Sequence, residues 1–393
     1  MFELSSQDLA AMTQFLQDLV RIPSLSTQEG AAAARLIDEM QRLGFADVHT
    51  DRIGSVVGRI GSGRGKKLVF NGHMDVVGEG DPAAWQRDPF GGEIRDGVLY
   101  GRGTADMKSG LAAMIYAAKM LRDARTPLNG DLYLVAVVQE EPCEGLAMRV
   151  LVEEQGLRPD WVVLGEPTDL QVSRGQRGRM GMSVIVHGKA AHAAAPQRGE
   201  NAIYGAARII FGLELLAGQL AQDRLLGRGS LAVTHIASTA GSRNVVPDRC
   251  ELYIDRRLTL GETEAKALSE VEGVILRENL QAQVRVTEYR STSYTGYQAR
   301  QAEYFPAWAM DEDHPLVQAT VRAVRHTLGY LPHIGQWDFS TDGAYTMGVA
   351  GIPTVGFGPG EERYAHTTQE QVRLDDVAAA VRVYAQLAAD LLK

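Results

Sequence analysis

The sequence predicts an α/β protein with a largely parallel sheet, into which a smaller α+β domain is inserted. Three observations lead there. The chain has 393 residues, more than one hydrophobic core usually supports, so two domains are expected. Apolar runs that read as buried strands, above all DLYLVAVV at 131–138 and WVVLGE at 161–166, are separated by helical patterns, the order that gives parallel pairing. From about Arg179 the pattern changes, because RMGMSVIVHG alternates apolar and polar residues as a half-buried strand does.

Taken in order, Leu9, Met12, Phe15, Leu16 and Leu19 recur at helical spacing, and Pro23 closes that segment. A second helix is expected from Gly30 to Leu43, with Gly44 as its C-terminal cap. Strands at Ser55 to Ile60 and Lys67 to Phe70 flank GSGRGK. That stretch lacks the glycine spacing and the Ser/Thr of a phosphate loop, so a plain hairpin turn is expected. The run LVFNGHMD at 68–75 reads as a buried strand opening into a loop at Asn71 and Gly72, with His73 and Asp75 at its C-terminal edge. Open α/β sheets place their ligands at that edge. Asp81 to Val98 is rich in turn residues and reads as a surface excursion, after which YGRGTADMKSG leads into the apolar helix LAAMIYAAKML.

In the inserted part, a helix at Asn201 to Leu216, strands at Leu231 to Ile236 and Cys250 to Leu258, a helix at Glu262 to Val274 and a strand at Val284 to Tyr289 follow the first strand. Strand, helix, two strands, helix, strand suits a ferredoxin-like α+β unit with its helices on one face. The expected division is 1–177 and 295–393 for the main domain and 178–294 for the insert.

Composition excludes several classes. A formal charge of -9 with dispersed basic residues leaves no stripe for nucleic acid, and no run approaches the ~18 apolar residues of a membrane span. The N-terminal stretch carries acids and no continuous apolar segment, unlike a signal peptide. With only Cys143 and Cys250 there is no disulfide framework, and a cytoplasmic setting is expected.

The acids and histidines fall in a pattern. Asp106 precedes an apolar helix, Glu140 and Glu141 end the strongest strand, Glu166 ends the next, and His366 follows the strand-like TVGFG. Singly, each has a structural reading: Asp106 as a helix cap, Glu140 and Glu141 as a solvated strand end, Glu166 before Pro167 as a turn, and His366 as a surface histidine. Jointly with His73 they stand at one sheet edge, where carboxylates repel one another unless a cation neutralises them. Neighbours on a strand point to opposite faces, so Glu140 and Glu141 can both serve only if the chain turns there, which Pro142 is expected to do. The residues alone do not say which is base and which is ligand. Beside these acids the thiol of Cys143 should resist ionisation, and it reads as packing.

GHMDVV, GRGTADMKSG, QEE, LGEPTD, HGKAAHAAAP and AHTTQE resemble, in order and spacing, the motifs of the M20 metallopeptidase family, which includes acetylornithine deacetylase, succinyl-diaminopimelate desuccinylase and carboxypeptidase G2. QEEPCEGL, RGQRGRM, APQRGENAIY and FSTDGAYTMGVAGIPTVGFGPG are similar to a branch of hydrolases linked to selenium metabolism. The resemblance covers nearly the whole chain. It implies a zinc-hydrolase domain carrying an inserted lid and dimerisation domain, and a metal-dependent hydrolase of an amide bond in a small N-acyl amino acid or short peptide. A dipeptidase, a carboxypeptidase or a carbamoyl-amide hydrolase of the same family is the alternative. From another class, a non-catalytic binding protein on this fold would be expected to have lost metal residues, and here all are filled.

The resemblance also assigns residues. His73, Asp106 and Glu166 would hold one Zn2+, and Asp106, Glu141 and His366 the second, with Co2+ or Mn2+ as substitutes. Asp75 matches the residue that orients the first histidine. Glu140 matches the general base that takes a proton from the attacking water and hands it to the leaving amine. His192 matches a histidine that supplies an oxyanion donor, often across a homodimer formed through the inserted domain. Asn244 and Arg257 resemble residues that hold a substrate carboxylate, with Arg256 adjacent and easily confused. The loop Gly356 to Gly360, centred on Gly358, could offer backbone N–H groups to the same carboxylate. Thr341, Asp342 and Gly343 line the pocket or form a tight turn. The peptide bond Asp106-Met107 is expected to be cis.

Overall fold

A computed structural model describes residues 2–393. Helix α1 (Ser6–Val20) starts where the Ser5 hydroxyl accepts the Asp8 N–H, and it buries Met12, Phe15, Leu16 and Leu19. Helix α2 (Gly30–Arg42) ends at Gly44, whose φ is +75°. The N–H groups of Gly44 and Phe45 close on the carbonyls of Gln41 and Met40, as the expected cap requires.

There follow β1 (Ala46–Thr50), β2 (Val56–Gly61), β3 (Lys67–His73), α3 (Ser109–Asp123), β4 (Asp131–Val137), β5 (Trp161–Leu164) and β6 (Val172–Gln176). The expected β2–β3 hairpin is not formed. Strand β4 lies between the two, antiparallel to β2 and parallel to β3. Its residues are buried along nearly its whole length, so both its edges need a backbone ladder, and a direct β2–β3 pairing would leave one edge bare. Strand β3 also runs past Asn71 and Gly72 to His73. The glycine at 72 lets Met107 pack close to the strand, since a Cβ there would lie 2.4 Å from its Cε.

The inserted stretch contains β7 (Gly178–His187), β8 (Ala191–His192), α4 (Ala202–Ala217), β9 (Ser230–Ser238), β10 (Val245–Val246), β11 (Arg249–Leu258), α5 (Glu264–Arg277) and β12 (Ala282–Val286). The last expected strand is cut short: the Thr287 N–H still meets the Gly181 carbonyl of β7, but the Thr287 carbonyl accepts the Glu303 N–H, and the ladder with β7 ends there. Beyond it β13 (Glu288–Thr292) and β14 (Gln298–Ala302) form a separate ribbon. The chain then gives β15 (Tyr304–Phe305), β16 (Trp308–Ala309), α6 (Pro315–Leu328), β17 (Ile334–Trp337), β18 (Thr354–Gly356) and α7 (Leu374–Leu391).

The large sheet has the order β1-β2-β4-β3-β5-β18-β6-β16, with β17 beside β6. Its centre, β4-β3-β5-β18, is parallel, and antiparallel pairs extend it on both sides. It is therefore a mixed sheet whose parallel part carries the predicted α/β character. The second sheet, β9-β11-β7-β12, is antiparallel throughout, the strand order of a ferredoxin-like unit. Ala206, Ile209 and Leu213 of α4 and Val271 and Val274 of α5 are buried with Met182, Val184, Leu252 and Ile254 of this sheet in a core of their own.

Around the large sheet, α7 packs against α3 and α6. The Tyr384 ring meets Phe70 at 5.1 Å and Phe357 edge-on at 5.4 Å. Fully buried side chains of this size stabilise a fold by about 1.5–3 kcal/mol each, which fixes the strands whose ends carry the site.

Candidate active site

Register sets the site. In the parallel centre, His73 pairs with Val137 and Asn71 with Leu164, so β3, β4 and β5 end side by side. The loops beyond them deliver His73 and Asp75, Glu140 and Glu141, and Glu166 to one edge. Asp106 comes from the loop before α3, where the Asp106-Met107 peptide is cis, and His366 from the loop after β18, with φ +61°.

These side chains form two donor sets. The ligating atoms of His73, Asp106 and Glu166 lie within 4.8 Å of one another, as do those of Asp106, Glu141 and His366. Nε2 of His73 is 2.9 Å from Oδ1 of Asp106 and 3.8 Å from Oε1 of Glu166. Nε2 of His366 is 3.2 Å from Oδ2 of Asp106 and 2.9 Å from Oε2 of Glu141.

The electrostatics are those of too much negative charge in one place. Burial, then neighbouring carboxylates, push the carboxyls of Glu140 and Glu166 well above their ordinary range against the pull of His73. Burial opposes charge on His73, yet Glu166, Asp106 and Glu140 outweigh it and hold the imidazole well above its usual value. Hydrogen bonds to Asp106 and Glu141 raise His366 to about 10. Imidazole nitrogens and carboxylate oxygens crowded in this way fit divalent zinc, cobalt or manganese. Oε1 of Glu140 is buried with no hydrogen-bond partner.

The supporting groups differ in part from expectation. His73 Nδ1 donates to the Asp75 backbone carbonyl at 2.8 Å, while the Asp75 carboxylate is 3.9 Å away. That carboxylate instead accepts the N–H groups of Glu140 and Glu141, at 3.1 and 3.2 Å, and the Ser26 hydroxyl at 2.7 Å. Asp75 thus steers the histidine through its main chain and the two glutamates through its side chain. Gly358 is also corrected. Its N–H is taken by the Thr168 hydroxyl at 2.9 Å, so it has no donor to offer a substrate. A Cβ there would lie 2.3 Å from the Glu166 carbonyl, so Gly358 serves close packing behind a site residue.

A cleft of about 310 Å³ opens on Asp106, Glu140, Glu141, Glu166 and His366, and Arg257 lines it. The neighbouring Arg256 is fully buried on Glu262 and Glu270, which separates the structural arginine from the accessible one. His192 and Asn244 are not brought to this cleft. They lie together on the β8–β10 ribbon, where His192 pairs with Val245 and the Asn244 carbonyl accepts the Ala193 N–H. Asp342 forms a buried turn, bonded to Asn71 and to the Gly145 N–H. Thr341 is held by Gln176. Cys143 is buried, and its thiol is pushed well up by burial, then by Glu144.

Sequence reasoning missed Arg179, Glu144 and Glu370. Arg179 lines the cleft and pairs with Glu144 at 2.6 Å. Oε1 of Glu370 accepts the N–H groups of Gly103, Ala105 and Asp106 at 2.9–3.1 Å, and Oε2 meets Arg102 at 2.5 Å. Glu370 lies four residues after His366 in AHTTQE, but only the fold shows that it faces the Asp106 loop.

A parallel-centred sheet whose carboxyl edge gathers two donor sets sharing one aspartate has the make-up of a metal-dependent hydrolase. The chain belongs to peptidase family M20/M25/M40, whose model matches residues 69–390. It is an amide-hydrolysing enzyme of that family. It is 40% identical over 378 residues to the uncharacterized protein YgeY of Escherichia coli (strain K12), covering 96% of this chain and 94% of that one. It is 30% identical over 400 residues to succinyl-diaminopimelate desuccinylase of Methylorubrum extorquens, covering 94% and 96%. Among solved structures, an M20 metallo-carboxypeptidase from Sulfolobus solfataricus superimposes with a TM-score of 0.78 at 18% identity, over 98% of this chain and 99% of that one. A dinuclear metal-binding M20 peptidase from Bacillus subtilis does so at 0.71 and 17%, over 99% of each.

Proposed function

We propose that this enzyme uses two zinc ions to cleave the amide bond of a small N-acyl amino acid. The observation that carries the reading is Asp106, whose Oδ1 faces His73 while its Oδ2 faces His366. In this reading His73, Asp106 and Glu166 hold one ion and Asp106, Glu141 and His366 the other, with Co2+ or Mn2+ as substitutes. Bound there, the pair would acidify a water and polarise the scissile carbonyl. The dinuclear B. subtilis structure and the desuccinylase relative support the assignment.

The protein's own groups do the rest. Glu140, with one carboxylate oxygen unpartnered, takes the proton of the attacking water and passes it to the departing amine. Asp75 holds the backbone of Glu140 and Glu141 in place. Arg257, whose Nε and Nη2 are held by Asp255, offers its remaining guanidinium N–H groups to the substrate carboxylate. His192 and Asn244 reach the cleft of a second copy, His192 to donate to the oxyanion. Residues 178–294 act as lid and dimerisation domain on a catalytic domain of 1–177 and 295–393; the separate core of the insert supports the division as far as Val286, beyond which Tyr289 and Tyr294 pack on the main core. Dimerisation is supported by Tyr204, Phe211 and Leu215, which are 67–72% exposed along one side of α4, and by the edge position of β9.

A panel of N-acetyl, N-succinyl, carbamoyl and dipeptide compounds, with zinc or cobalt supplied, tests this. Turnover confined to acyl amino acids supports it. Turnover confined to dipeptides makes the chain a dipeptidase or carboxypeptidase instead.

A further inference from the structure

Glu140 and Glu141 are consecutive, and in an extended strand their side chains would face opposite ways. Both nevertheless open on the cleft. The turn that permits this was expected at Pro142, but the unusual backbone lies before the pair. Gln139 is 0% exposed and has φ +56°, a conformation few residues other than glycine adopt.

Three groups from outside β4 hold it. Its N–H donates to Oε1 of the buried Glu29 at 3.2 Å. Its Oε1 accepts the Tyr289 hydroxyl at 2.9 Å and the Ser291 hydroxyl as well. Both hydroxyls come from β13, the first strand after the inserted sheet. The β13–β14 ribbon is itself fastened to the main domain, with the Tyr294 hydroxyl on the Gly54 carbonyl at 2.7 Å and that of Tyr297 on Glu154 at 2.6 Å. The hydroxyls therefore stand on a fixed wall and set the direction in which the chain leaves residue 139.

We propose that Gln139 is a positioning residue of the hydrolytic centre: clamped by Glu29, Tyr289 and Ser291, it fixes the turn that presents Glu140 as base and Glu141 as ligand on the same side. The inference rests on the two-metal reading. It also gives the connector between insert and main domain a direct hold on the catalytic segment.

The test is the double variant Y289F/S291A, which removes both donors without altering residue 139 or any metal-binding side chain. Cobalt titration followed by visible absorption is read beside kcat and KM on the best substrate of the panel. The expected result is a loss of about 10–100-fold in cobalt affinity and kcat, with KM little changed and the cobalt spectrum altered. In the Y289F background, S291T, which keeps the second hydroxyl, should recover much of what S291A loses. S291A alone should shift the same readouts in the same direction if the double variant fails to fold. Cobalt binding and kcat equal to the parent in the hydroxyl-deleted variants would overturn this inference alone. A parent protein that takes up no cobalt would overturn the two-metal reading and this inference with it.

Discussion

Glu140 and Glu141 are adjacent in the chain, yet Glu141 meets His366 at 2.9 Å while Glu140 keeps a buried oxygen with no partner. That difference supports the proposed roles of Glu141 as ligand and Glu140 as base. E140Q keeps the shape and removes the proton acceptor. It should lower kcat by about 10²–10⁴-fold with metal content unchanged, and full turnover in that variant would take Glu140 out of the base role. Asp342 shows a different use of a buried carboxyl. Burial raises it from 3.8 to about 6, although Asn71 and the Gly145 N–H bond to it. A raised folded-state value means its contribution to stability is full below about 3.8 and is lost as pH rises through about 6. D342N cannot ionise and keeps an acceptor for Gly145. Urea unfolding of chelated protein should show it gaining on the order of 3 kcal/mol relative to the parent between pH 4 and 8. A difference that does not change with pH would contradict this.

The loop before α3 carries Asp106, and Glu370 is its support, taking three of its backbone N–H groups and the Arg102 guanidinium. Both partners of that ion pair are nearly fully buried, so E370A strands a charge and three donors. It should cost about 3–5 kcal/mol in denaturant unfolding, and a cost below about 1 kcal/mol would refute the assignment. Elements of this kind mark where sequence reading stops. The runs 68–75, 131–138 and 161–166 announce buried strands, and the acids at their ends announce the site, because patterning and position are local. What fails is pairing between distant segments. The interposition of β4 between β2 and β3 answers a need for two ladders that no local window contains. Glu370 reaching Arg102, Gly358 giving its N–H to Thr168, and Gln139 turning under the hydroxyls of β13 are likewise contacts between stretches 150 to 268 residues apart, only in part visible as motifs.

In the whole molecule, the cleft takes Arg257 from the inserted sheet but not His192 or Asn244, which sit on the β8–β10 ribbon. The proposed dimer completes the site from a second copy, and this has a direct consequence. Mixed dimers of H192A and E140Q, each inactive alone, contain one site with an intact base and an intact donor. They should recover activity on subunit exchange, whereas no recovery would place His192 outside the partner's site.

The central claim, that Asp106 joins two metal-binding sets into one hydrolytic centre, is tested most directly by metal stoichiometry read together with turnover. Chelated protein should be inactive on every amide, and titration with zinc or cobalt should restore hydrolysis as two ions bind per chain. Hydrolysis that persists in metal-free protein, or a chain that binds no zinc or cobalt, would contradict the account.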